Sequence, residues 1–128
     1  MQISTAPRRE VRLGLVLNGG VSLAVWIGGV THEIDRARRA SPSQPANGPA
    51  SATLDLYRDL LAILEQDVVV DVISGASAGR INGVLLGAAI YNGQPLPNLR
   101  ETWIELGDSR NLLRFASNAN PPSLMPTT

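Results

Sequence analysis

Apolar residues crowd into two short runs, Val11 to Leu17 and Val68 to Ile73, and elsewhere recur three and four positions apart. Short β-branched runs bounded by glycine read as strands, and the wider spacing reads as helix. The first run stops at Asn18-Gly19-Gly20, and Ser22 to Thr31 follows as a mostly apolar, helix-compatible segment. His32 to Arg39 reads as the charged end of that helix, with Glu33, Asp35, Arg36, Arg38 and Arg39 expected to face water. Ser41 to Ala52 is rich in Pro, Ser and Ala, and reads as a flexible insertion between two helices. Thr53 is the expected N-cap of a helix from Leu54 to Gln66, with Leu56, Leu60, Ile63 and Leu64 as its apolar stripe.

After the second strand, Val84 to Tyr91 is expected to be a buried helix, with Gly83, Gly87, Ala88 and Ala89 allowing close packing on a sheet. Leu99 to Leu106 reads as a further helix with Trp103 and Leu106 on one side, both expected in the core. The tail, 117–128, has a loop-like composition. Strands alternating with helices predict an α/β fold with a mainly parallel sheet. A doubly wound sheet needs more strands than the two identified, so 1–128 is expected to be the N-terminal portion of one domain. On that expectation the isolated chain is marginally stable.

The second strand runs directly into Gly75-Ala76-Ser77-Ala78-Gly79, a G-x-S-x-G turn ahead of a helix. A strand–turn–helix context makes this a candidate nucleophile elbow, which lifts a serine Oγ clear of the backbone. The other reading is a serine N-cap in a tight loop. The earlier turn at Asn18-Gly19-Gly20 supplies what an acyl-transfer serine also needs, backbone donors aimed at a developing oxyanion. Gly19, Gly20 and Val21 from that turn and Ala78 after the serine are the candidate donors. Glycine suits such a loop through close approach and positive φ. A phosphate loop is the competing reading of Asn18 to Ser22. No G-x-G-x-x-G threads through these glycines, and the chain has no lysine for a P-loop.

These residues resemble the N-terminal part of a patatin-like phospholipase. Asp71-Val72-Ile73-Ser74-Gly75-Ala76-Ser77-Ala78-Gly79, continued by Ile81-Asn82-Gly83, is similar to the family's elbow; Leu15-Val16-Leu17-Asn18-Gly19-Gly20 is similar to its oxyanion loop, and Gly29-Val30 falls where the family often has Gly-Val. The resemblance spans roughly Arg12 to Ala89. It implies a three-layer α/β/α fold and a lipid acyl hydrolase with Ser77 as nucleophile. It implies an oxyanion hole at Gly19, Gly20, Val21 and Ala78, elbow glycines Gly75 and Gly79, and no cofactor or metal. Its substrates are phospholipids or related fatty-acyl esters, with peripheral membrane contact.

Val21, Leu23 and Ala24 depart from the family's loop, which has a third glycine, a basic residue and a further glycine there. Arg80, where the family often has glycine, is either a replacement charge or a solvated surface residue.

A serine needs an acceptor for its proton. No histidine follows Ser77, and His32 precedes it at the far end of a helix, where a structural role is expected. The resemblance implies an aspartate from a downstream Asp-Gly-Gly or Asp-Gly-Ala. This chain has no Asp-Gly, and its last aspartate, Asp108, carries no such motif. The dyad acid is therefore expected outside the chain. A non-catalytic lipid- or protein-binding domain that keeps the elbow is the alternative.

Eleven basic and eleven acidic residues cancel, which gives no basic footprint for nucleic acid. Without cysteine, and with a single histidine, there is no metal-ligand spacing. The polar start, Met1 to Glu10, carries no signal peptide, and no apolar run is long enough to span a bilayer, so a cytoplasmic location is expected. Trp26, near the oxyanion loop, is read as core packing before acyl-pocket lining. Nothing in the sequence signals an oligomeric state.

Overall fold

The computed structural model describes residues 7–45 and 48–107. Chain order is β1 (Arg9–Asn18), a 3-10 turn (Val21–Leu23), α1 (Ala24–Ala40), α2 (Ala52–Leu64), β2 (Gln66–Ala76), α3 (Ala78–Tyr91) and α4 (Arg100–Gly107). The expected tail and Asp108 lie outside the described residues. β1 and β2 pair in parallel, with Leu17 opposite Gly75 and Asn18 opposite Ala76. Both strands therefore end side by side, and the loops that follow leave from one edge.

The protein is thus a mixed α/β structure with a two-stranded parallel sheet and four α-helices among the described residues. The helices cover one sheet face. Leu86, Ala89 and Leu96 pack with Leu15, Ile34 and Ile73, while Ala40, Leu54 and Leu61 pack with Tyr57 and Val68. Val16 and Val72, on the opposite face, are 71% and 62% exposed. Asp71, in the middle of the apolar run of β2, is the extra residue of a register shift opposite Leu13 and Gly14. Arg12 grips its carboxylate with Nε and Nη2, both at 2.8 Å.

Several local expectations are corrected. Ser51, not Thr53, caps α2; its Oγ accepts from Leu54 N at 3.1 Å. Gln66 belongs to β2, after Glu65 ends the helix in the left-handed region. The stripe of α2 is rotated. Leu54 and Leu61, one heptad apart, are buried, whereas Leu56, Leu60, Ile63 and Leu64 are exposed. Asp35, Arg38 and Arg39 are buried rather than solvated, with both guanidinium groups paired to the one carboxylate. The insertion at 41–52 begins as a fixed turn: buried Ser41 accepts from Val68 N at 2.8 Å through its Oγ. Ala88 and Val84 on α3 are exposed, while Gly83 meets the sheet. Trp26 is 68% exposed, so its expected core role does not hold.

Candidate active site

Ser77 joins the end of β2 to the start of α3 with φ 52° and ψ −130°. A side chain with a Cβ meets steric strain there, of about 1–3 kcal/mol. Its hydroxyl makes no capping hydrogen bond to α3. The N-cap reading is therefore set aside, since a cap would return about 1 kcal/mol through that bond. Glycine would adopt this backbone freely. Serine here costs stability and returns no local bond, and its side chain stands exposed at the positive end of a helix.

The flanking small residues are required by close approach. A Cβ on Gly79 would overlap the Leu17 carbonyl of β1. One on Gly75 would stand 2.8 Å from Arg80 N, and one on Gly83 would stand 2.8 Å from Ile73 Cγ2. The first loop meets the elbow at Gly19, where a Cβ would overlap Ala76 O and Gly79 N and stand 2.8 Å from Ala78 N. The two glycine-rich turns are thus in contact.

Gly20 corrects the expectation of positive φ in this loop. Its φ is −172°, extended backbone open to any residue, and a Cβ there would meet nothing within 4 Å. Close approach by Gly19, not left-handed backbone, shapes the turn. Leu23 N donates to Gly20 O, and Arg80 N and Ile81 N donate to Ser77 O. Val21 and Ala78 open their helices, so their N–H groups lie among the first-turn donors that lack an intrahelical acceptor. Candidate donors and candidate nucleophile are held on one edge of the sheet.

No base is brought to Ser77 among the described residues. His32 lines a groove of about 770 Å3 between β1 and α1, bordered by Val11, Leu13, Trp26, Val30 and Tyr57. Burial and the charge of Arg36 push the His32 imidazole below its ordinary pKa. Ser77 does not line that groove. A smaller slot, of about 330 Å3, lies between β2 and α3, lined by Ser74, Gly75, Arg80, Gly83 and Gly87, and Ser77 does not line it either. Arg80 is exposed. Asp35 is committed to Arg38, Arg39 and Leu96 N, and Asp71 to Arg12.

Asn82 is a residue whose role sequence reasoning missed. Fully buried, it bonds α1, α3 and α4 together, and its only sequence signal is a polar residue in an apolar helix. Among the described residues no cluster of His, Cys, Asp or Glu is arranged to hold a metal ion.

No family model matches the chain, and no solved structure matches it. The chain is 38% identical over 131 aligned residues to an uncharacterized membrane protein of Mycobacterium tuberculosis. That alignment covers 94% of this chain and 12% of the relative, so the chain spans about an eighth of the curated protein it matches. Among the described residues, no helix is long and apolar enough to cross a membrane.

Proposed function

We propose that this chain is the N-terminal part of a patatin-like, three-layer α/β/α acyl hydrolase, with Ser77 as its nucleophile. The observation that carries the proposal is the strained Ser77, without a side-chain cap bond, in a strand-to-helix turn whose neighbouring Ala76, Ala78 and Gly79 backbone is closely approached by Gly19. Such a placement suits a hydroxyl kept for chemistry. Ser77 Oγ attacks the carbonyl carbon of a fatty-acyl ester, and its proton passes to an aspartate from chain beyond Thr128. N–H groups of Gly19, Gly20, Val21 and Ala78 stabilise the oxyanion. The alcohol leaves, and water then hydrolyses the acyl-enzyme.

Phospholipids and related lipids are the substrate class the resemblance favours, reached by peripheral contact with a membrane from the cytoplasmic side. The relative's description as a membrane protein accords with that setting. No cofactor or metal enters the scheme. The non-catalytic reading draws on one feature, the lack of an acid or base beside Ser77 among the described residues.

The test is fatty-acid release from phosphatidylcholine vesicles and from a medium-chain nitrophenyl ester by the longest natural form of the protein. Ser77→Ala is expected to lower turnover by about a thousandfold or more, as loss of a serine nucleophile does. Turnover that survives the substitution rules out this mechanism.

A further inference from the structure

The carboxamide of Asn82 makes three hydrogen bonds with none of its surface exposed. Its Nδ2 donates to Ala24 O at 3.3 Å and to Ala78 O at 3.1 Å, and its Oδ1 accepts from Trp103 Nε1 at 2.9 Å. The reverse orientation would set Oδ1 against two carbonyls and the NH2 group against an indole N–H, so the network fixes the amide. Gly28 leaves the space for this contact; a Cβ there would stand 3.3 Å from Trp103 Cδ1 and 3.4 Å from Asn82 Oδ1.

The positions of the two carbonyls matter. Ala24 is the first residue of α1, directly after the turn that carries Val21. Ala78 is the first residue of α3, directly after Ser77. One side chain therefore ties the helix behind the glycine loop to the helix behind the elbow. The two carbonyls do not depend on it for their backbone bonds. Both carbonyls lie within helices, where the backbone N–H four residues on supplies an acceptor's ordinary partner. An apolar residue of similar volume would fill the same space.

We propose that Asn82 is a positioning residue, a clamp that holds the Gly19–Val21 donors in register with Ser77. The role rests on the reading of Ser77 as nucleophile. It acts on geometry alone, since the amide's hydrogen bonds go to Ala24 O, Trp103 Nε1 and the carbonyl of Ala78, not to Ser77 or to a donor N–H. Because a displacement of about 1 Å can cost a hundredfold in rate, a buried amide joining the two helices is well placed to control the chemistry.

The test uses the longest natural form of the protein and a fluorophosphonate ester, with wild type, Asn82→Leu, Trp103→Phe and Ser77→Ala side by side. Labelling is followed well below each variant's melting temperature. Asn82→Leu is expected to lower the maximal rate of phosphonylation by about ten- to a hundredfold, with the half-saturating probe concentration little changed. Trp103→Phe keeps an aromatic side chain, smaller and without the indole N–H, and removes one of the three bonds, so a smaller loss of the same kind is expected, and it serves if Asn82→Leu does not fold. Amide hydrogen exchange at Gly19 to Val21 is expected to quicken in both. An unchanged maximal rate in the folded variants overturns the clamp. If wild type itself is not labelled, the hydrolase reading fails and hydrogen exchange decides alone. Faster loop exchange in Asn82→Leu then supports the clamp on a non-catalytic loop, and unchanged exchange overturns it.

Discussion

Asp35 accepts hydrogen bonds from Arg38 Nη2 at 2.6 Å, Arg39 Nε at 2.8 Å and Leu96 N at 2.9 Å, with no surface in water. Burial on its own would raise its pKa; the Leu96 amide and the two guanidinium groups overcome this and hold the carboxyl below its ordinary value. A carboxylate with a depressed folded pKa contributes stability above its unfolded pKa, about 3.9, and loses it as pH falls through the folded value. Asp35→Asn leaves two buried guanidinium groups undercompensated and is expected to cost about 3–5 kcal/mol at neutral pH. Denaturant melts should show that gap beginning to narrow below pH about 4, where the unfolded carboxyl takes up a proton first, and closing only once pH has fallen through the lower folded value. The triad was hidden in the sequence because charges near a helix end ordinarily face water. The spacing of Asp35 from Arg38 and Arg39, three and four residues, was its available signal. Ser77 was legible because a strand, a small-residue turn and a helix follow in order, but its missing cap bond was not. Ser77→Gly should raise the melting temperature over Ser77→Ala, since only glycine relieves the positive φ, by about 1–3 kcal/mol of strain. Equal melting temperatures would count against strain at this position.

At the scale of elements, strands were easier to place than helix faces. The two apolar runs located β1 and β2, and the turns that follow them are the two that meet. Helix α2 was found, yet its buried side was misassigned, because leucines and isoleucine surround it and periodicity alone admits two phases. The packing partners Ala40 and Val68, which no local pattern reveals, select Leu54 and Leu61. The glycines divide in the same way. Gly19, Gly75 and Gly79 stand where another backbone passes, while Gly20 does not. Gly79→Ala drives a methyl group into the Leu17 carbonyl and is expected to destabilise the protein by about 1–3 kcal/mol or prevent folding. Gly20→Ala is expected to melt within about 0.5 kcal/mol of wild type, as open positions do. Thermal unfolding of the pair checks both, and a Gly20→Ala defect as large as that of Gly79→Ala would contradict the close-approach account.

On the whole-molecule scale, a parallel sheet is normally covered on both faces. Here Val16 and Val72 are exposed on one face, and Leu56 and Ile63 of α2 are 69% and 80% exposed. So much apolar surface in water is expected to make the 128-residue chain bind a hydrophobic dye and melt with low cooperativity. The longest natural form should suppress dye binding and melt sharply. A steep, dye-free melt of the short chain would contradict this. The two-stranded core and the meeting of the two loops were legible in sequence because both are local strand–turn–helix units in one register. What covers the exposed face of the sheet, and which group would take a proton from Ser77 on the proposed mechanism, were not, because long-range packing leaves no local pattern. The central claim is that Ser77 is a nucleophile. Its most direct test is mass spectrometry of the longest natural form after reaction with a fluorophosphonate, beside Ser77→Ala. One adduct on the peptide containing Ser77, absent from the variant, is the predicted result. A folded protein that carries no adduct at Ser77 would contradict it.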